Sequence, residues 1–104
     1  MRIIAAIIVF SLASLSAHAG DLLIFTRSGC GACDRAKAAI ASDPAIAAGH
    51  TLTSIDTQSQ PLLARLYRVK AVPVFVLEIN GKEVARTVGF STGADLKAWL
   101  EAQK

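Results

Sequence analysis

"VPVFVLEINGKEVARTVGF", residues 72 to 90, holds the plainest structural statement in the chain. Val74 to Ile79 is a run of β-branched, aromatic and aliphatic side chains, the mixture that suits a pleated, buried strand. Asn80-Gly81 follows at once, and both residues tolerate the positive φ that a two-residue hairpin turn needs. "KEVARTVGF" then returns as the second strand of the hairpin. Pro73, read alone, is an ordinary trans proline opening a strand at a sheet edge.

Working outward, Pro61 opens a helix in which Leu62, Leu63, Leu66 and Tyr67 recur at helical spacing. Beyond the hairpin, "STGADLKAWL" (91–100) starts a last helix. Thr92 and Asp95 stand as a capping box, and Leu96, Trp99 and Leu100 form a buried stripe. Towards the N-terminus, "DLLIFT" (21–26) reads as a strand buried on both faces. Cys33 to Ile40 is rich in helix formers, and "SDP" (42–44) stops that helix, because the residue before a proline avoids helical geometry. "HTLTSID" (50–56) alternates Leu52 and Ile55 with threonines and serine, a strand pattern. The order βαβαββα gives an α/β fold, a mixed four-stranded sheet with helices on both faces. Strands joined through helices are expected to pair in parallel, and the final hairpin is antiparallel. No repeat or linker divides residues 20–104, so one domain is expected there.

Residues 1–19 read differently. Met1-Arg2 precedes an apolar run from Ile3 to Leu15, and Ala17 and Ala19 have the spacing a signal peptidase reads. A charged start, a short apolar stretch and an A-x-A end make a secretory signal peptide, too short for a comfortable membrane span. The mature protein is expected to start at Gly20 and reside in the periplasm, and His18 leaves with the signal. The chain has eleven Lys and Arg, one of them Arg2, against eight Asp and Glu. That excess is small and scattered, so nucleic acid and lipid surfaces are not indicated.

The only two cysteines, Cys30 and Cys33, sit in "SGCGACDR" (28–35). Three readings compete. A structural staple gains little here, since a disulfide restrains the unfolded chain more when it closes a long loop, and only Gly31 and Ala32 are enclosed. A structural zinc site needs four ligands, and the mature chain adds only His50. A thiolate pair can carry Cu(I), so a copper-delivery module stays open. The third reading is a redox pair. A strand ending at Thr26 fixes the loop, and a helix beginning at the cysteines favours a thiolate on Cys30 through its free N–H groups. Cys33, one turn inside, then resolves the mixed disulfide. Gly31 keeps the turn tight; Asp34, Arg35 and Lys37 read first as the solvated face of the helix, and the alternative is that Arg27 and Arg35 favour the thiolate against an opposing Asp34.

"SGCGAC" after "LLIFT", together with residues 67 to 103, resembles the thioredoxin superfamily over almost all of the mature chain. The resemblance implies a thioredoxin-like fold with Cys30 attacking, Cys33 resolving and a loop of Gly29, Gly31 and Ala32 around them. It implies a cis Val72-Pro73 element that docks client backbone, and a final-strand glycine at Gly89. Departures are specific. Gly29 stands where thioredoxins carry Trp, Ala32 where they carry Pro, and Ile24 where they carry a buried Asp. Because proline has no N–H, Ala32 restores a possible donor to Cys30 and with it a more oxidising disulfide than that of thioredoxin.

The expected function is therefore an exported thiol–disulfide oxidoreductase that reduces client disulfides through Cys30 and Cys33, with no cofactor and no metal. Its expected partners are client proteins with disulfides and a membrane thiol reductase as electron donor. Neither nucleic acid nor stable membrane insertion is expected, and the chain is expected to be a monomer. The alternatives are a Cu(I) module using the same thiols and a non-catalytic thioredoxin-like partner.

Overall fold

In the computed structural model, residues 20–90 and 92–104 are described. The expected signal peptide, 1–19, lies outside the described residues. The element order is β1 (Gly20–Thr26), α1 (Gly31–Ser42), a 3-10 turn (Pro44–Ala47), β2 (His50–Asp56), α2 (Pro61–Leu66), β3 (Val74–Ile79), β4 (Lys82–Val88) and α3 (Gly93–Ala102). The four strands form one sheet in the order β2-β1-β3-β4. No helix among the described residues is long and apolar enough to cross a membrane.

The hairpin forms as its sequence dictates. Ile79 pairs with Lys82, and the two turn residues between them, Asn80 and Gly81, have φ of 53° and 76°. Positive φ at both positions is the signature of the turn whose twist matches the strands. Further along, Leu77 faces Ala85 and Glu78 faces Glu83, so Val84 is an extra residue, a β-bulge.

β1 is one of the two interior strands, and all of it but Asp21 is buried. It pairs in parallel with β2, as expected, but antiparallel with β3. The expectation that both helix-joined pairs of strands would be parallel is thus half wrong. α2 has six residues and spans about 9 Å, whereas a seven-residue strand spans about 23 Å. Helix α2 is too short to carry the chain back along the sheet. β3 therefore starts at the end where β2 finishes and runs against β1.

Alternation along the strands splits the core in two. Leu22, Ile24, Phe75 and Leu77 face α1, the 3-10 turn and α3, meeting Ile40, Ile46, Leu96 and Leu100. Phe90 lies edge-on to Phe75 at 4.9 Å and beside Trp99 at 5.8 Å. On the opposite face, Leu23, Phe25, Ile55, Val74 and Val76 meet Leu63, Tyr67 and Val69. Burial raises the Tyr67 phenol above its ordinary value, and the nearby Glu78 carboxylate adds to the rise. Helices thus cover both faces, as expected.

Two apolar patterns are resolved differently from their sequence reading. In α2 the buried residue is Ala64, with Leu63 and Tyr67 partly buried, whereas Leu62 and Leu66 are exposed. In β2, Leu52 pairs with Leu22 and Ile55 with Phe25, so the two project to opposite faces, and Leu52 is exposed at the sheet edge. A separation of three residues cannot keep both on one face of a strand.

Candidate active site

The site lies where β1 ends. Its last residue, Thr26, is buried, and its carbonyl accepts from the Thr57 N–H at 2.9 Å, which ties the ends of β1 and β2 together. The chain then turns through Arg27–Cys30, closed by a hydrogen bond from the Cys30 N–H to the Arg27 carbonyl at 3.3 Å. Gly29 has φ of +74° and open space around it. A glycine is wanted at the third position of such a turn, and here that also leaves the approach free of a side chain. Helix α1 follows directly, with Cys30 as its N-cap residue.

Cys30 and Cys33 form a disulfide, with Cα atoms 5.2 Å apart. The Cys33 N–H donates to Cys30 Sγ at 3.1 Å, so the sulfur takes the place of a capping oxygen. The donor is therefore Cys33, not Ala32, as the sequence reading had it. Cys33 is fully buried and Cys30 retains 8% exposure. Asp34 lies in the first turn of α1. The Arg35 guanidinium reaches back over Gly31: a Cβ on that glycine would lie 3.3 Å from Arg35 Nη1. Ile24, one residue before Phe25 in β1, is an apolar core residue.

The second wall of the site is built by α2 and its exit. Val69 donates to the Ala64 carbonyl at 2.9 Å and Arg68 to the Arg65 carbonyl at 3.1 Å, with Arg68 at φ 55°. That is a Schellman ending, with Val69 packed in the cluster that holds Leu63. It turns residues 69–72 along the end of the sheet. The Val72-Pro73 bond is cis, Pro73 is buried, and its carbonyl accepts from the Gly89 N–H at 2.9 Å. Val74 pairs with Phe25, so Pro73 comes to the end of the sheet from which the cysteine loop leaves.

Between these walls is a cavity of about 350 Å³ lined by Arg27, Thr57, Val69, Lys70, Ala71 and Val72. Of these, Thr57 and Lys70 carry no signal in the sequence. Thr57 joins the site because the sheet order sets the end of β2 beside the end of β1, and Lys70 because the ending of α2 turns residues 69–72 along the same end. His50, by contrast, pairs with Gly20 at the other end of β1, away from the cysteines. Among the described residues no cluster of three His, Cys, Asp or Glu side chains is arranged to hold a metal ion.

Solved structures with this architecture are similar over most of the chain. A thioredoxin variant from Halobacterium salinarum is 27% identical, with a TM-score of 0.72, over 85% of this chain and 77% of its own. Thioredoxin-2 of the malaria parasite, described as a component of its protein secretion machinery, is 26% identical, with a TM-score of 0.70, over 78% of this chain and 80% of its own. A further malarial protein is 25% identical, with a TM-score of 0.69, over 79% of this chain and 93% of its own. No curated protein sequence matches the chain. The thioredoxin-like domain model matches residues 15–104. With this fold and a disulfide-bonded Cys-x-x-Cys pair at a helix start, the chain belongs to the thioredoxin-like domain family, and an oxidoreductase-like function is supported.

Proposed function

We propose that the protein is an exported thiol–disulfide oxidoreductase that reduces client disulfides in the periplasm. The observation that carries this reading is the Cys30–Cys33 disulfide at the start of α1, with the Cys33 N–H directed at Cys30 Sγ. A donor aimed at that sulfur, at the positive end of a helix, stabilises negative charge there once the bond is opened.

In the reductive direction the protein starts as the dithiol. The Cys30 thiolate attacks one sulfur of the client disulfide, forming a mixed disulfide, and the other client sulfur leaves as a thiolate that takes up a proton. Cys33 gives up its proton and attacks Cys30 Sγ, which releases the second client thiol. Two electrons pass to the client, and the protein is left with the Cys30–Cys33 disulfide. A dithiol donor then restores the thiols by the same exchange in reverse, and a membrane thiol reductase is the proposed donor. Val72, next to Pro73 at the sheet end, is the proposed backbone contact for the client, by strand-like addition.

The test is reduction of a model peptide disulfide by pre-reduced protein, run beside Cu(I) titration and cell fractionation. Turnover that is lost in Cys30→Ser, together with periplasmic recovery of the mature chain, supports the reading. No turnover with tight one-to-one Cu(I) binding would replace it with the copper module. Neither activity would leave a non-catalytic partner.

A further inference from the structure

We infer that the cavity beside the cysteine loop selects client segments with Asp or Glu next to the reactive cysteine, and that Arg27 and Lys70 are the cations that read them. This rests on the oxidoreductase reading of Cys30 and Cys33.

Three observations converge. First, both cations line the cavity, both are exposed, and neither has an ion-pair partner among the described residues. Second, residues 70–72 bring backbone donors to the cavity wall. Among the described residues the N–H groups of Lys70, Ala71 and Val72 have no hydrogen-bond partner, whereas their neighbours Val69 and Gly89 donate to Ala64 and Pro73. Free N–H groups beside two ammonium or guanidinium groups suit an extended segment that brings carbonyls and carboxylates. Third, the nearest acid at this end of β2, Asp56, forms no ion pair with either cation among the described residues. The Asp56 carboxylate is turned into its own loop, where it accepts from the Gln58 and Ser59 N–H groups at 2.7 and 3.1 Å.

The chemistry needs the client sulfur at Cys30, so flanking residues of the client fall over the cavity and its rim. A carboxylate there is attracted, and a lysine is repelled by the same two charges. Charge of this kind acts on encounter and choice of partner more than on the bond exchange itself. It also identifies the client as a protein segment of stated character, an acidic strand around a disulfide.

The experiment uses three short peptides, each with one internal disulfide and identical except that Glu, Gln or Lys flanks the cysteines. Pre-reduced full-length mature protein is mixed with each in single-turnover kinetics. The Glu peptide should react about tenfold faster than the Lys peptide at low salt, and the gap should close at 1 M salt, where screening acts over about 3 Å. Arg27→Gln with Lys70→Gln should bring the Glu-to-Lys rate ratio close to one, and the swap Arg27→Lys with Lys70→Arg should restore it. Equal rates for all three peptides in the wild type, or a ratio that survives the double Gln variant, overturns the inference and leaves the oxidoreductase reading standing. If no peptide is reduced at all, both fail together.

Discussion

The backbone N–H of Cys33 points at Sγ of Cys30 across 3.1 Å, while the side chain of Cys33 has no solvent exposure. One sulfur thus has a backbone donor aimed at it and some exposure, and the other is closed off from solvent. In the reduced protein, alkylation at neutral pH should modify Cys30 at least about tenfold faster than Cys33. Cys33→Ser should accumulate mixed disulfides in cells and Cys30→Ser should not. Peptide mapping and non-reducing gels read both outcomes, and equal labelling or equal trapping would remove the division of labour.

Ala32→Pro tests which donor sets the redox poise. Ala32 is the second residue of α1, where proline removes an N–H that has no partner within the helix. Since the donor to Cys30 Sγ is Cys33, the substitution should shift the potential by less than about 30 mV, a tenfold change for two electrons. Glutathione equilibration measures it. A larger fall in the variant would show that the Ala32 N–H reaches the sulfur when the protein is reduced.

The sequence made some of this architecture easy to read and hid the rest for definable reasons. The Asn80-Gly81 turn, the buried β1 and the Thr92 cap are local, and each came out as expected, with the Asp95 N–H donating to Thr92 Oγ1 at 3.1 Å. The direction of β3 is not local. It depends on how far the short helix α2 can carry the chain. Leu62 and Leu66 misled because apolar spacing marks a helix without saying which flank meets the sheet. At the site, the cysteines and Pro73 were legible as a pattern. Thr57 and Lys70 were not, because they become neighbours of Arg27 only after β1 and β2 are joined and the exit from α2 turns along the sheet end.

Arg68 offers a gain in stability. It holds φ of 55° in the Schellman ending of α2, a conformation that costs a side-chain-bearing residue about 1 kcal/mol. Arg68→Gly should stabilise the fold by about 0.5 kcal/mol, since glycine's greater freedom when unfolded offsets part of the relief. Urea unfolding should show a raised midpoint with an unchanged slope. A lowered midpoint would mean that the guanidinium contributes more than the backbone strain costs.

Glu83 and Arg86 give a pH-dependent contribution. Two hydrogen bonds from Arg86, at 2.5 and 2.7 Å, hold the Glu83 carboxyl below its ordinary 4.5. Because the folded value is the lower one, this stabilisation is complete above the unfolded value and disappears as pH falls through the folded value. Both side chains are about one-third exposed, so solvent screens the pair and its coupling should be about 0.5 kcal/mol at neutral pH. A double-mutant cycle with Glu83→Gln and Arg86→Gln should give that coupling near pH 7, and the coupling should fall away as acid protonates Glu83. A coupling that persists in acid would assign it to packing.

That pair exists because of Val84. In a regular strand, residues three apart point to opposite faces, and the bulge at Val84 puts Glu83 and Arg86 on the same one. The same offset has a second result, at the border of the sheet. β4 is an edge strand, and such an edge invites any passing extended chain to continue the ladder. An extra residue mid-strand throws the outward N–H and C=O groups out of step, and Lys82, Glu83 and Arg86 line the strand with charge. A protein proposed to meet extended client segments at one end of its sheet is thereby guarded against fusing with them, or with its own copies, along that side.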